Sequence, residues 1–504
     1  MKKLLSMILV FTLACTLLAG CGSSDGGDSD SEYKDTIVFC QGNDITTLDG
    51  SQAPQERSVA LLNHIFDPLF VTDENFEIAP CLATEWEWQD GEKTLKVKLR
   101  EGVKFHDGSD MTAEDVKFTL DLLQERGATF SGNYKDTEIL NDYEVLIHLN
   151  APNPALLNIL STAQTCIIPS DAYDPDAFAL NPIGTGPYKF LESAEGDYYT
   201  LERFDDYWGE PAKTKYLTMR IVPEPSQRAI LLETGEVDAA YGLSFNDLNR
   251  MKDDSNYTIY TSPSMKVILM ELNCASDGPV GNPKVRRAIE CAIDKDSIIE
   301  SLLSGWGEPS KSIVSPYAKD YREMAVNEYD PELAKKLLAE AGYADGFELS
   351  LFTNSDQINS EIATVMQEQL AKVGITLKIT VQDDNTTFSM VENGDDFDMI
   401  LDFFQATSCH ASYVFNDMLR STAFNNYSRY YDKEFDSLLE KYSATAEGPE
   451  REELLNKIYD KIATDTPAIG LYIEYKTVAT TSKMEGFHAN HVGAHEFQNA
   501  RVRK

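Results

Sequence analysis

The amino-acid sequence predicts an α/β protein that is divided into more than one lobe. Its 504 residues are more than a single hydrophobic core ordinarily serves, so two or three lobes are expected. Along the chain, segments with the two-residue period of a half-buried strand alternate with segments that have the period of an amphipathic helix. An apolar fraction of 42% and an aromatic fraction of 10% are typical of a globular protein.

The first predicted elements lie in the N-terminal third of the chain. Residues 37–40 form a short apolar strand, and residues 95–99 alternate apolar with basic side chains, as a half-buried strand does. A helix is predicted over residues 110–123, with the Thr112 hydroxyl placed to cap it. Residues 145–149 alternate again and predict a further strand.

The second half of the chain also combines helices with a strand. Asp330 and Pro331 are a favoured N-cap and first residue of a helix, which Gly342 ends. Apolar residues at helical spacing predict another helix over residues 358–373, and residues 375–381 alternate as a strand does. Helix, turn and strand in this order indicate an α/β lobe.

The N-terminus has the pattern of a targeting signal. Two lysines precede an apolar stretch, residues 4–18, which is short for a membrane-spanning helix. Residues 18–21 (LAGC) resemble the lipobox of bacterial lipoproteins, whose cysteine carries the lipid. We therefore expect a signal peptide at 1–20, a lipid on Cys21, and a flexible acidic tether over 21–35. An ordinary signal peptide that happens to contain a cysteine is the alternative.

Charge and cysteine content narrow the functional class. With 44 basic and 83 acidic residues the formal net charge is −39, which opposes binding to nucleic acid. Beyond Cys21 six cysteines are spread over a long chain, so no disulfide framework is expected, although one or two bridges stay open. No CxxC pair occurs, which excludes a zinc ribbon or a thioredoxin site at the motif level.

The usual catalytic signatures are missing from the sequence. It contains no GxxxxGK[ST] phosphate loop and no GxSxG elbow, and His495-Glu496 lacks the second histidine of HExxH. An enzyme is therefore disfavoured, and a secreted hydrolase is kept only as a third alternative. No cofactor is expected.

Several segments carry a resemblance to a known family. They occur at residues 82–86 (LATEW), 94–108 (TLKVKLREGVKFHDG), 112–118 (TAEDVKF), 182–188 (PIGTGPY), 207–209 (YWG), 232–238 (LETGEVD), 282–288 (NPKVRRA), 292–295 (AIDK) and 329–338 (YDPELAKKLL). Together they look like the signature of family 5, the peptide/nickel type, of bacterial extracellular solute-binding proteins. The resemblance covers essentially all of the chain beyond the signal and the tether.

The resemblance implies a two-lobed, hinged α/β fold of the periplasmic-binding-protein type (type II, cluster C like) with an additional small domain. The implied limits are 36–75, 190–270 and 477–504 for lobe I, 76–189 for the small domain, and 271–476 for lobe II. The chain is expected to cross between the lobes near residues 266–270 and 469–473. These two apolar, strand-like runs would act as a hinge, and a ligand would close the cleft by contacting both lobes.

The ligand expected first on family frequency is a di- or oligopeptide, although one motif departs from the family pattern. After the strand that begins at Phe397, peptide binders of the family carry a Trp and an acidic turn. Here that stretch holds no Trp and places Thr, Ser, Cys and His at the turn. We therefore expect this segment to line the cleft, opposite the N-terminal segment and the tail, through Thr46, Thr47, Gln55, Phe404, Gln405, Thr407, Cys409, His410 and His491.

A nickel chelate or a metallophore is the second alternative for the ligand. Imidazoles suit such metals, and the candidate ligands are His410, His488, His491 and His495. The spacing of the last three suits one helical face, although Gly493 argues for a loop or strand there. Ordinary hydrogen-bonded loop histidines are the competing interpretation.

The resemblance also implies the partners of the chain. They are a small-molecule ligand, an ABC permease, and, through the permease, separate ATPase subunits, which agrees with the absent phosphate loop. We expect a monomer that is held on the extracytoplasmic face of the cell membrane by its lipid.

Overall fold

The computed structural model describes residues 32–52, 55–127, 133–262, 264–324, 328–406, 408–491 and 496–504. The predicted anchor Cys21 and the predicted site residues Thr407 and His495 lie outside the described residues, as does the side chain of Gln55. Within the described ranges, no helix combines the length and the apolar composition that crossing a membrane requires.

A seven-stranded mixed sheet forms the first body of the molecule, which we call lobe I. Its central strand, Thr36–Gln41, has a parallel partner on each side, and the outer pairs are antiparallel. The strands follow the order Tyr257–Ser262, Lys476–Thr481, Ala239–Tyr241, Thr36–Gln41, Tyr216–Ile221, Tyr198–Arg203 and Tyr188–Ala194. The helices of this lobe are Gln55–Leu62, Pro225–Thr234 and Phe245–Met251.

A six-stranded mixed sheet forms the second body, lobe II. Its strands follow the order Gly307–Pro309, Ala468–Glu474, Lys266–Leu272, Met399–Gln405, Phe347–Thr353 and Ile375–Val381. Helices cover this sheet at Pro283–Ala292, Lys295–Leu302, Pro331–Glu340, Gln357–Ala371, Asp384–Glu392, Ala411–Val414, Lys433–Ala444 and Pro449–Asp465. A π-helical turn, Phe415–Leu419, follows Ala411–Val414 directly, and a 3₁₀ turn lies at Pro279–Gly281.

A four-stranded antiparallel sheet and one long helix form the third body, the small domain. The strands follow the order Ala83–Gln89, Thr94–Leu99, Glu144–Leu149 and Tyr134–Asn141, and the helix is Ala113–Glu125. Short elements complete the chain at Phe70–Thr72, Ile78–Pro80, Leu156–Ile159, Ala163–Thr165, Pro175–Phe178, Met484–Glu485 and Arg501–Val502.

The elements predicted from the sequence are present, with small differences at their ends. The helix expected from residue 110 begins at Ala113, because Asp110 pairs with Lys104 in an isolated bridge before Thr112 caps the helix. The Thr112 amide donates to the Asp115 carboxylate at 2.8 Å, as expected for a capping box. Helix Pro331–Glu340 has Asp330 as its N-cap, as predicted. Each cysteine of the described residues is free.

The two chain crossings between the lobes lie side by side. Strand Lys266–Leu272 follows a lobe I strand, and strand Ala468–Glu474 leads back into one. These two strands pair antiparallel inside lobe II, and Val267 lies opposite Ile473. Two adjacent crossings allow the lobes to rotate about one line, which is the geometry of a hinge.

A close backbone approach fastens the small domain to lobe I. Gly184 and Gly186 pass so near Ile65 that a β-carbon on Gly184 would lie 2.1 Å from the Ile65 carbonyl oxygen. The half-buried His106 ring spans this stretch: its Nε2 donates to the Gly186 carbonyl at 3.0 Å, while its Nδ1 accepts from the Gly184 amide at 3.2 Å. His106 is therefore a packed structural residue, and it fixes the return of the chain from the small domain.

Candidate ligand-binding site

A cavity of about 690 Å³ lies between the small domain and lobe II. One wall is formed by residues of the small domain: Gly127, Asn133, Ala151, Pro152, Asn153, Pro154, Ala155 and Ile159. The other wall belongs to lobe II: Ser412, Tyr413, Asn416, Asp417, Arg420, Glu440, Ser443 and Ala444. The volume lies in the range of about 300–1,000 Å³ that is usual for small-molecule sites.

The lobe II wall is positioned by a short helix that widens into a π-helical turn. The His410 side chain caps the start of this helix, because its Nδ1 accepts from the Ser412 amide at 3.2 Å. In the π turn Phe415, Met418 and Leu419 are buried in the lobe II core. The polar residues between and after them therefore meet the cavity, and π turns are frequent at functional sites.

The small-domain wall is a rigid loop that follows strand Glu144–Leu149. Two prolines, Pro152 and Pro154, restrict its backbone. The Asn153 side chain accepts from the Ala155 amide at 3.0 Å, and the Asn133 side chain donates to the Pro152 carbonyl at 3.2 Å. These two bonds restrain the loop from within the small domain.

Opposite charges stand on the lobe II wall of this cavity. One carboxylate oxygen of Asp417 accepts from the Asn425 amide at 2.8 Å, whereas the other bonds no described residue. Burial raises the pKa of Asp417 above its usual value. Among the described residues, the half-buried Arg420 guanidinium has neither an ion-pair partner nor a hydrogen-bond partner. The wall therefore presents an acceptor for a cation and a donor for an anion.

The segment predicted to line the cleft lies behind this wall. His410 has no exposed surface and Cys409 is only 3% exposed, so neither side chain reaches solvent. Burial lowers the pKa of His410 to about 4 and raises that of Cys409 to about 12. Phe404 and Gln405 are half-buried, and the Phe404 ring lies 5.8 Å from that of Tyr413. Cys409 and His410 therefore do not present their side chains to solvent, and none of the four lines the cavity of about 690 Å³, whose lobe II wall begins at Ser412. That Phe404 and Gln405 line the cleft elsewhere stays a prediction.

The N-terminal segment contacts the small domain but does not line the cavity. Thr46 is exposed and Thr47 is half-buried, whereas Asp49 is completely buried. The Asp49 carboxylate accepts from the Tyr173 hydroxyl at 2.7 Å and pairs with Arg126 at 3.4 Å. Arg126 directly precedes Gly127 of the cavity wall, so this segment supports the wall from behind.

Three of the four histidines proposed as metal ligands lie among the described residues, and each has neighbours of its own. His488 is exposed and lies 3.3 Å from the Glu74 carboxylate. The His491 ring contacts Phe76, with 3.9 Å between ring centres, and its Nε2 lies 3.0 Å from the Thr72 hydroxyl. His410 is buried in lobe II among other neighbours. The described residues hold no cluster of three or more His, Cys, Asp or Glu side chains suited to a metal ion.

Three contacts join parts of the molecule across the cleft. The Phe76 ring stacks on Tyr317 of lobe II at 5.3 Å between centres. The Trp306 indole donates to the Asn249 side chain of lobe I at 3.1 Å. Glu92 of the small domain pairs with Arg451 of lobe II at 3.4 Å. Lobe II is thus in contact with both lobe I and the small domain.

These features define a hinged, two-lobed protein that encloses a polar cavity. The chain belongs to the bacterial extracellular solute-binding proteins, family 5: the family model described as "Bacterial extracellular solute-binding proteins, family 5 Middle" matches residues 77–426. It is 30% identical over 474 residues to the glutathione-binding protein GsiB of Salmonella paratyphi A, which covers 90% of this chain and 91% of that protein.

Solved structures of similar proteins share the fold. The periplasmic binding protein DppA of Helicobacter pylori in complex with peptide STSA matches with a TM-score of 0.79 and 27% identity, over 93% of this chain and 98% of that chain. NikA of Brucella suis in complex with Fe(III)-EDTA matches with a TM-score of 0.85 over 93% of this chain and 99% of that chain. At 23% identity this second match shows the fold alone.

These comparisons confirm the predicted family and the predicted two-lobed α/β fold. The chain is a solute-binding protein of an ABC importer, which binds a small ligand and works with an ABC permease. They also confirm that it serves transport and is not an enzyme, because its relatives are substrate-binding proteins.

Proposed function

We propose that this chain captures a short peptide in the cavity between the small domain and lobe II and delivers it to its permease. The observation that carries the proposal is the presence of Asp417 and Arg420 in the wall of one cavity. A peptide ends in an ammonium group and a carboxylate, and each needs an opposite charge when it leaves water. Asp417 would take the ammonium end and Arg420 the carboxylate end.

The state of these two side chains supports the proposal. The Arg420 guanidinium has no partner among the described residues, so its five donors are open to a ligand carboxylate. Asp417 keeps one carboxylate oxygen that bonds no described residue, and burial raises its pKa because a buried carboxylate charge loses its hydration. An arriving ammonium group would stabilise that charge.

The ligands of similar proteins point to the same size of molecule. The Salmonella relative is named for glutathione, a tripeptide, and the Helicobacter protein was solved with the four-residue peptide STSA. A cavity of about 690 Å³ suits a peptide of that length. A metal chelate has less support, because the described residues do not bring three metal-binding side chains together.

The direct test is to identify what the protein carries and what it binds. Native mass spectrometry of the protein purified without unfolding should show a bound peptide of about two to four residues. Calorimetric titration with glutathione, tri-alanine and a nickel–histidine chelate should give binding with a peptide and none with the chelate. Binding of the chelate alone would replace the peptide proposal with the metal one.

We also propose that the mature protein is a lipoprotein on the extracytoplasmic face of the cell membrane. The support is the LAGC sequence at residues 18–21, followed by the Gly-, Ser- and Asp-rich tether. Cys21→Ala should abolish lipid labelling and release the protein from the membrane or leave it unprocessed. A Cys40→Ala variant is the matched control, because Cys40 is buried in lobe I. Unchanged lipid labelling of Cys21→Ala would refute the anchor.

A further inference from the structure

The hairpin that joins strands Ala83–Gln89 and Thr94–Leu99 has an unusual tip. Asp90, Gly91 and Glu92 all have left-handed backbone conformations, with φ of 52°, 62° and 65°. This conformation is disfavoured for residues that carry a β-carbon, so surrounding contacts must hold the two acidic residues in it. Asp90 and Gly91 are exposed, but the Glu92 side chain is only 18% exposed, because it turns toward lobe II.

The Glu92 carboxylate meets the start of the longest helix of lobe II. One oxygen accepts from the Glu447 amide at 3.2 Å, and the other lies 3.4 Å from the Arg451 guanidinium. The helix Pro449–Asp465 has 17 residues, and its N-cap Gly448 has no side chain to accept from the open amides. Glu92 accepts from the residue just before the N-cap and therefore places a negative charge near the positive end of this helix.

The contact continues from Arg451 to the wall of the cavity. The second guanidinium nitrogen of Arg451 lies 3.9 Å from the Asp320 carboxylate, which accepts from the Tyr442 hydroxyl at 2.5 Å. The same carboxylate lies 3.8 Å from Nε2 of His410. Lys319 directly precedes Asp320, and its carbonyl accepts from the Ala411 amide at 2.9 Å. Ala411 is the first residue of the helix that leads into the cavity wall.

We propose that Glu92 is a positioning residue that latches the small domain onto lobe II and so holds the two walls of the cavity together. Arg451 is only 8% exposed, and release of Glu92 would leave it with the more distant Asp320 as its ion-pair partner. Opening the cavity therefore weakens the charge balance of Arg451 and removes the acceptor of the Glu447 amide just before its helix. The role of Glu92 in ligand retention rests on the proposed function of the cavity. The contact between Glu92 and lobe II does not depend on that proposal.

The latch can be tested without any ligand by hydrogen exchange at the Glu447 amide. In the ligand-free full chain, Glu92→Ala should raise exchange at this amide about tenfold, because its acceptor is lost. Glu85→Ala is the matched control: Glu85 is in the same hairpin, and its 3.1 Å ion pair with Lys98 stays within the small domain. Equal exchange at Glu447 in wild type and Glu92→Ala would overturn the latch.

A second variant separates the hydrogen bond of the Glu447 amide from the ion pair with Arg451. Glu92→Gln keeps an oxygen for the Glu447 amide but loses the charge that pairs with Arg451. It should leave exchange at Glu447 close to wild type while weakening binding of glutathione or tri-alanine roughly fivefold, mostly through faster dissociation. If the probe that binds dissociates from both Glu92 variants at the wild-type rate, Glu92 has no role in ligand retention. If neither probe binds wild type, the peptide proposal fails, and the exchange experiment still decides the latch.

Discussion

The Lys266 ammonium lies 3.1 Å from the Glu474 carboxylate, and this ion pair joins the two strands where the chain crosses between the lobes. Lys266 is the first residue of the strand that enters lobe II, and Glu474 is the last residue of the strand that leaves it. The same ammonium lies 4.2 Å from the centre of the Phe403 ring. Rotation of one lobe against the other therefore acts on this pair.

Removing the pair should loosen the hinge more than it destabilises the fold. Both side chains keep solvent contact, at 21% and 40% exposure, so Lys266→Met should lower the free energy of unfolding by only about 0.5–1 kcal/mol. Small-angle scattering of the ligand-free variant should nevertheless give a larger radius of gyration, and 1 M salt should move wild type in the same direction.

The control for this experiment is Lys378→Met. Lys378 pairs with Glu348 at 2.6 Å between neighbouring strands of lobe II and takes no part in the crossings. This variant should leave the radius of gyration unchanged. Equal scattering curves for wild type and both variants would show that the Lys266–Glu474 pair does not restrain the hinge.

The charged wall of the cavity gives the clearest test of the ligand class. Arg420→Gln should weaken binding of a peptide about tenfold or more, because it removes a charge-assisted contact with the terminal carboxylate. Asp417→Asn should weaken binding by a similar factor through the ammonium end. Calorimetric titration with glutathione or tri-alanine measures both.

A matched control for the charge itself is Lys433→Gln. Lys433 is exposed at the start of the helix Lys433–Ala444, whose later residues line the cavity, but Lys433 does not line it. This variant should bind like wild type. If Arg420→Gln also binds like wild type, the carboxylate end of the peptide lies elsewhere.

Much of the fold follows from local signals in the sequence, but the site does not. The alternation at residues 94–99 and the Asp330-Pro331 helix start are local patterns, and the structure has both elements. The cavity is made by segments that are far apart in the chain, which no periodicity relates. The departure from the family pattern drew attention to residues 404–412, yet among the described residues of that range only Ser412 lines the cavity.

One signal for the lobe II wall of this cavity was present in the sequence. Asp417 and Arg420 lie beside the apolar residues Phe415, Met418 and Leu419. Two opposite charges three residues apart on a largely buried helix suggest that one face meets something polar. The π-helical turn decides which side chains share that face, and this turn depends on packing in the lobe II core.

Buried histidines should make the protein labile in mild acid. Burial lowers the pKa values of His106, His410 and His491 from 6.5 to about 4. These histidines therefore bind protons near pH 6.5 in the unfolded chain but only near pH 4 in the folded chain. Between these pH values the unfolded chain binds more protons, so protonation favours unfolding. The free energy of unfolding should be highest above pH 6.5 and should fall as the pH drops from 6.5 to 4.

Urea unfolding at pH 7.5, 5.5 and 4.5 measures this loss. His106→Gln should be less stable than wild type at pH 7.5, because it disturbs the bonds to Gly184 and Gly186, but it should lose less stability on acidification. The comparison at pH 7.5 is the internal control, since the imidazoles are then largely neutral in both states. An identical pH dependence in the variant and in wild type would exclude His106 as a source of the acid effect.

Because Gly184 passes so close to Ile65, we expect any larger residue at this position to destabilise the fold. A β-carbon at Gly184 would lie 2.1 Å from the Ile65 carbonyl oxygen and 2.7 Å from a carbon of the Phe66 ring. The Ile65 backbone cannot yield easily, because its carbonyl accepts from the Gly186 amide at 2.9 Å. We expect Gly184→Ala to lower the free energy of unfolding by about 3 kcal/mol or more, as overpacking against backbone does. In Gly278→Ala the new β-carbon would meet two side-chain atoms, the Ser276 hydroxyl at 3.1 Å and an Asp398 carboxylate oxygen at 3.9 Å, so this control should change stability by less than about 1 kcal/mol. Urea unfolding of wild type and both variants measures these changes in the free energy of unfolding. A Gly184→Ala variant as stable as wild type would mean that the chain relaxes at this junction.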